Sequence, residues 1–104
     1  MLVLLMLALA APNPQSINQP RKNYAACIKL FEKKSLTEKM AADAFSGAIK
    51  AACPGEAAAL TKALVDYDVA MGTKRASATA SAATDLADYV LTSEERYRAS
   101  MPKP

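Results

Sequence analysis

The chain has 104 residues, 52% hydrophobic and 22% charged, with a net charge of +3; that suffices for one small domain and lacks the clustered basicity of a nucleic-acid binder. Histidine and tryptophan are absent, which removes the commonest general base and the commonest metal ligand together. Twenty-three residues are alanine, so much of the apolar content is methyl groups and the expected core is thin and closely packed.

Met1 to Ala11 is an unbroken apolar run without charge. A bilayer-spanning helix needs about 20 such residues, and Pro12 ends this run well short of that. Its dimensions are those of the apolar part of a secretory signal peptide, and Ala8-x-Ala10 supplies the small residues of a cleavage site. The expected cut follows Ala10, because a cut after Ala11 would place Pro12 beside the scissile bond. No Lys or Arg precedes the run, so either the terminal amine supplies the positive charge or the true start lies upstream. Residues 1–10 are read as a signal peptide. Residues 11–20 follow as a flexible, Pro-rich leader, with Ile17 its single bulky apolar side chain and too little else to pack.

Cys27 and Cys53 are the only cysteines, 26 positions apart. That spacing makes no C-x-x-C redox motif, and a zinc site would need two further ligands that histidine cannot supply. After export both cysteines face an oxidising compartment, and a structural disulfide is expected. Closing a loop of that length stabilises by about 3.5 kcal/mol in the chain-entropy model. Two free thiols buried on apolar faces would instead mark a reducing compartment.

From Pro20 onward the periodicity is helical. Tyr24, Cys27, Ile28 and Phe31 share one face through their i, i+3, i+4, i+7 spacing, with Lys22, Lys29 and Lys33 opposite. Ser35-Leu36-Thr37-Glu38 matches a capping box for a second helix, whose stripe is Ala41, Ala44, Phe45, Ala48, Ile49, Ala52 and Cys53. A sharp turn at Ser35 conflicts with the disulfide, since Cys27 lies eight residues before it and Cys53 eighteen after. The mismatch is ~15 Å along the helix axes, whereas disulfide-linked Cα atoms sit within about 7 Å. A connection centred near Met40 removes the conflict, with Asp43 as an alternative N-cap, and a steep helix crossing would also do so. The expected connection spans residues 35–42.

Pro54-Gly55-Glu56 suits a new helix start, or else a kink in one longer helix from Asp43. Ala57, Leu60, Leu64, Tyr67 and Met71 then line one face, and Lys62 with Asp66 forms an i, i+4 pair. Gly72 suits a helix end and Thr73 a new cap. Residues 76–84 are small and low in complexity, which fits a linker. Alanine is nevertheless the best helix former, and Ala76, Ala80, Ala83, Ala87 and Val90 continue one stripe, so helix is expected. Leu86, Val90 and Tyr97 extend it, and residues 99–104 are expected to be a disordered tail. β-Branched residues are sparse and never alternate, which argues against strands. The expected fold is all-α: a hairpin or bundle of three to four helices over residues 21–98 with one disulfide, and Phe31, Phe45, Ile49, Leu60 and Leu64 as core.

Chemistry-bearing constellations are few. Asp66 and Asp68 stand two apart, about 200° around a helix, so they cannot share a cation; with Asp85 and Asp88 they read as solvated faces. Glu94, Glu95, Arg96 and Arg98 read as a charged helix end. No histidine can activate a serine, and three scattered glycines make no phosphate loop. No catalytic residue, metal ligand or cofactor is expected. Residues 21–53 carry seven basic and three acidic side chains, against six and seven in residues 54–104. Arg21, Lys22, Lys29 and Lys33 therefore form a candidate basic surface for anionic lipid or a cell-envelope polymer, with a solvated helix face as the simpler reading.

The order Tyr24-x-x-Cys27, Cys53-x-x-Glu56, Asp68-x-x-x-Gly72-x-x-Arg75-Ala76, Asp88-Tyr89 and Glu95-Arg96-Tyr97 resembles a group of small exported two-cysteine helical proteins of alphaproteobacteria. The resemblance spans about residues 24–97. Pro54-Gly55 departs from the more helix-compatible residues expected after the second cysteine. The resemblance implies export and cysteine pairing and brings no activity with it. The expectation is a non-catalytic protein of the cell envelope, periplasmic or secreted, that binds a protein partner there and not nucleic acid. The alternatives are a periplasmic chaperone or inhibitor whose thin core opens, and a binder of anionic membrane surfaces.

Overall fold

Four helices build the protein, whose structure, a computed structural model, describes residues 13–101: α1 (Gln15–Thr37), α2 (Ala42–Ile49), α3 (Pro54–Ala70) and α4 (Arg75–Ser100). The all-α fold with one disulfide is what the chain adopts, and no strand occurs among the described residues. The signal-peptide reading of residues 1–10, and the ends of the leader and tail, lie outside the described residues.

α1 begins earlier than the leader reading expects. Asn13 Oδ1 accepts a hydrogen bond from the Gln15 N–H at 2.9 Å, and the Asn13 carbonyl accepts one from the Ser16 N–H at 3.1 Å. The helix then runs through Pro20 despite the backbone donor that proline lacks. Residues 15–20 are thus helix rather than flexible leader, because Ile17 finds the core and packs half-buried against it. At the other end, Ala99 and Ser100 still belong to α4 and Met101 packs on the core, so the tail reading fails for these residues too.

The connection from α1 to α2 occupies residues 38–41, inside the expected 35–42 and centred near Met40. Its edges differ because the capping box does not form. Ser35 is buried in the last turn of α1 with no partner for its hydroxyl, and the N-cap of α2 is Ala41, with Asp43 in the first turn. α1 instead closes through its backbone: the Lys39 N–H donates to the Leu36 carbonyl at 3.1 Å and the Met40 N–H to the Ser35 carbonyl at 3.0 Å. This Schellman pattern needs a left-handed residue, and Lys39 supplies it at φ 58°. Gly72, at φ 101°, closes α3 in the same way, with Thr73 donating to the Asp68 carbonyl at 2.9 Å. An L side chain is disfavoured in that conformation, so Lys39→Gly is expected to stabilise the fold by about 0.5–1 kcal/mol. A raised urea midpoint at unchanged slope checks it.

α2 ends at Ile49, and Pro54 opens α3 at its first position, so α3 is a new helix rather than a kinked continuation. Cys53 is the N-cap of α3 and bonds Cys27 in mid-α1, with Cα atoms 6.2 Å apart. Arg21 of α1 meets Asp85 and Tyr89, and Glu32 meets Arg96, so α1 and α4 run parallel. α3 runs antiparallel to α4: Val65 clusters with Ala78 and Ala82, whereas Ala57 lines a hollow with Leu86 and Val90.

The main core joins Tyr24, Ile28, Phe45, Ile49, Cys53, Leu60 and Tyr97, with Phe31 and Leu64 half-buried against it. Phe45 is its centre, stacked on Tyr97 at 3.8 Å between ring centroids and on Phe31 at 5.7 Å. A second cluster, Val65 with Ala78 and Ala82, seals the far end. The alanine stripe expected on α4 is on the wrong side: Ala76, Ala80, Ala83 and Ala87 are exposed. Met71 likewise is 61% exposed, just beyond α3, and Lys74 rather than Thr73 is the N-cap of α4.

Candidate functional site

The Cys27–Cys53 pair lies where α1 passes the start of α3, and the carboxylate of Glu56 comes within 4.8 Å of the sulfurs. The two sulfurs are bonded to each other, so neither offers a thiolate to a metal. What the bond does here is mechanical: it ties the first helix to the third.

The four residues of the candidate basic surface divide between two roles. Arg21 points into the α1–α4 seam. It donates to Asp85 at 3.1 Å and to the Tyr89 hydroxyl oxygen at 3.0 Å, and its guanidinium lies 5.9 Å from the Tyr89 ring centroid. These partners, Tyr89 foremost, hold the guanidinium above its ordinary pKa. Lys22, Lys29 and Lys33 are exposed on the outer side of α1, where sequence periodicity places them. The structure adds Lys34 beside them, exposed as well, and Leu30, 69% exposed among the lysines. None of these four lysines forms a salt bridge among the described residues.

The single acidic residue of α1, Glu32, does not offset them at the surface. It is buried against α4, where Arg96 grips it through two hydrogen bonds, Nε to Oε1 at 3.0 Å and Nη2 to Oε2 at 2.6 Å. That fork raises the Arg96 pKa above its usual value. Nothing in one sequence pairs residues 64 positions apart, so this contact was not legible beforehand.

Between α1 and α4 runs a groove of about 400 Å³, lined by Arg21 and Lys29 from α1 and by Asp85, Asp88, Tyr89 and Arg96 from α4. Two of its cations already have carboxylate partners, so it presents both signs at once. A neighbouring hollow between α3 and α4 gathers Asp68, Asp85 and Asp88, but Asp85 is committed to Arg21. Asp66 turns away to Lys62 at 2.5 Å, the i, i+4 pair that the spacing predicts. That pair is exposed and contributes a few tenths of a kcal/mol.

Tyr97 is fully buried, its hydroxyl donating to the Met40 carbonyl at 2.7 Å. Burial pushes its phenol above the ordinary tyrosine range, and burial followed by Tyr89 does the same to Tyr24. A folded-state pKa above the unfolded value of about 10 means a contribution fully present below that pH. It is lost as pH rises through the higher folded value. Tyr97→Phe is therefore expected to cost about 1 kcal/mol at neutral pH, through the lost hydrogen bond. The variant should also lose less further stability between neutral and strongly alkaline pH than the parent does. Urea titrations on both sides of pH 10 check it, with Tyr24 responsible for part of what remains.

No family model, curated protein or solved structure matches this chain.

Proposed function

We propose that the protein is a non-catalytic interaction module of the cell envelope, working outside the reducing cytoplasm. The observation that carries this is the Cys27–Cys53 disulfide, which ties α1 to α3 in a domain with few large core side chains. Such bonds persist in oxidising compartments. The apolar run at residues 1–11 and the resemblance to exported two-cysteine helical proteins support the same location. No described helix is long and apolar enough to cross a membrane. The polar groups that meet inside the fold, Arg21 with Asp85, Glu32 with Arg96 and Tyr97 with Met40, hold helices together, so the surface is left to act by binding. The partner in this reading is a protein of the envelope.

The test is cell fractionation followed by non-reducing mass measurement of the native chain. The oxidised form in the periplasmic or secreted fraction is expected; both thiols free in the cytoplasm would overturn the proposal. The chaperone or inhibitor reading draws on exposed Leu30, Met71 and Leu91. These lie on α1, just past α3 and on α4, whereas holding an unfolded client takes one contiguous apolar patch. Light scattering from an aggregating client with no protection by this protein removes it.

A further inference from the structure

We propose that the outer face of α1 docks on an anionic lipid bilayer, a contact additional to the protein partner that rests on the interaction-module reading above. Three observations combine. First, the charge is polarised: α1 holds five of the thirteen basic residues and one of the ten acidic ones, which leaves eight basic and nine acidic elsewhere. The net positive charge of the chain thus resides on one helix. Second, the fold sorts that helix by face. Arg21 and Glu32 turn into the seam with α4 and find partners there, whereas Lys22, Lys29, Lys33 and Lys34 stay exposed and unpaired. They extend over about 18 Å of a straight helix. Third, Leu30 stands 69% exposed among the lysines, with nothing packed over it.

The third observation selects the occupant. A dissolved polyanion would engage the lysines and gain nothing from a leucine. A nucleic acid strand would use aromatic faces for stacking, and no aromatic side chain among the described residues is exposed. A bilayer surface takes both groups at once: headgroup phosphates meet the ammonium ions at the ends of flexible stems, and the headgroup boundary accepts the leucine. The apolar side of α1 is already spent in the core, so docking is superficial and electrostatic, with the helix lying along the surface.

Vesicle sedimentation of the disulfide-bonded protein recovered from its own cells tests this. Residues 1–11, where retained, are common to every variant compared. Each lysine near an anionic surface contributes about five-fold, so four imply half-binding near about 1 mM accessible lipid at low salt. The protein should pellet with vesicles of mixed phosphatidylglycerol and phosphatidylcholine, not with phosphatidylcholine alone, and should be released as salt is raised. Replacing Lys22, Lys29 and Lys33 by Gln should lower partitioning about 100-fold. The same charge loss elsewhere, Lys50, Lys74 and Arg75 to Gln, should lower it by less than about five-fold. Leu30→Ser should weaken binding without changing its salt dependence. All of these side chains are exposed, and circular dichroism confirms that the variants fold.

Equal loss from both triple variants, unchanged binding by the first, or equal pelleting with uncharged vesicles overturns the proposal. Equally tight binding to duplex DNA or heparin at the same salt overturns it in favour of a soluble polyanion. A failure here with the oxidised protein still found outside the cytoplasm leaves the module reading intact. Free thiols in the cytoplasm would remove that reading while leaving the vesicle result in place.

Discussion

Phe45→Ala is expected to lower stability by about 3–5 kcal/mol. The ring is completely buried and lies between Tyr97 and Phe31, so it joins α2 to α4 and to α1 at one point. α2 has eight residues and no side-chain cap. A helix of that length is not stable alone and is held by what its apolar face touches. Removing Phe45 leaves Ile49 as its only other fully buried anchor. The void would also strip the Tyr97 ring of its stacking partner. Against a typical total of ~5–15 kcal/mol, that is a large share of the stability, and the urea midpoint of the variant should fall well below that of the parent. Phe45→Leu should cost about 1–1.5 kcal/mol. Urea denaturation monitored by circular dichroism measures both, and an alanine cost under about 1 kcal/mol would show that α2 is held by something else.

Cys27→Ala with Cys53→Ala is expected to cost about 3.5 kcal/mol, and reduction of the parent protein should have a comparable effect. The bond closes a loop that contains all of α2 and both of its connections, so cutting it frees the part of the chain with the weakest local structure. In the chain-entropy model the effect lies in the denatured ensemble. The helical signal before unfolding should therefore stay unchanged while the denaturation midpoint falls. Alanine is the better probe than serine, because Cys53 is 4% exposed and a hydroxyl there would be buried. Combined with Phe45→Ala, the double-alanine variant should be unfolded without denaturant. A midpoint shift worth less than about 1 kcal/mol would mean that packing alone holds α1 against α3.

The basic residues of α1 divide by type as well as by position. Arg21, and Arg96 opposite on α4, make the forked contacts of the α1–α4 seam, where a planar, multiply donating guanidinium suits carboxylate and phenol oxygens. The lysines of the same helix are all left at the surface, where a flexible, strongly hydrated charge costs little. The division explains why a basic surface counted from sequence needed one residue removed and another added.

Several features were determined by residue order alone. Spacing of Tyr24, Ile28, Phe45, Ile49 and Leu60 marked faces that are indeed buried. Two cysteines in one chain admit one internal pairing, and their separation argued for a connection near Met40, or a steep helix crossing, over a sharp turn at Ser35. Gly72 marked a helix end and Pro54 either a helix start or a kink, because each frees or restricts the backbone at its own position. The tertiary structure decided the rest. Which methyls of α4 turn inward could not be read, since a segment of Ala, Ser and Thr has no contrast between its faces. Ala78 and Ala82 are buried because Val65 lies against them. Lys39 takes a glycine-like conformation because the backbone bonds of the Schellman turn outweigh its side-chain preference. Gln15–Pro20 fold because Ile17 reaches the core, and Arg21 leaves the basic face because Asp85 and Tyr89 stand opposite. Local patterns act over one or two helical turns; the partners that settled these four cases come from elsewhere in the chain or from backbone hydrogen bonds that side-chain identity does not announce.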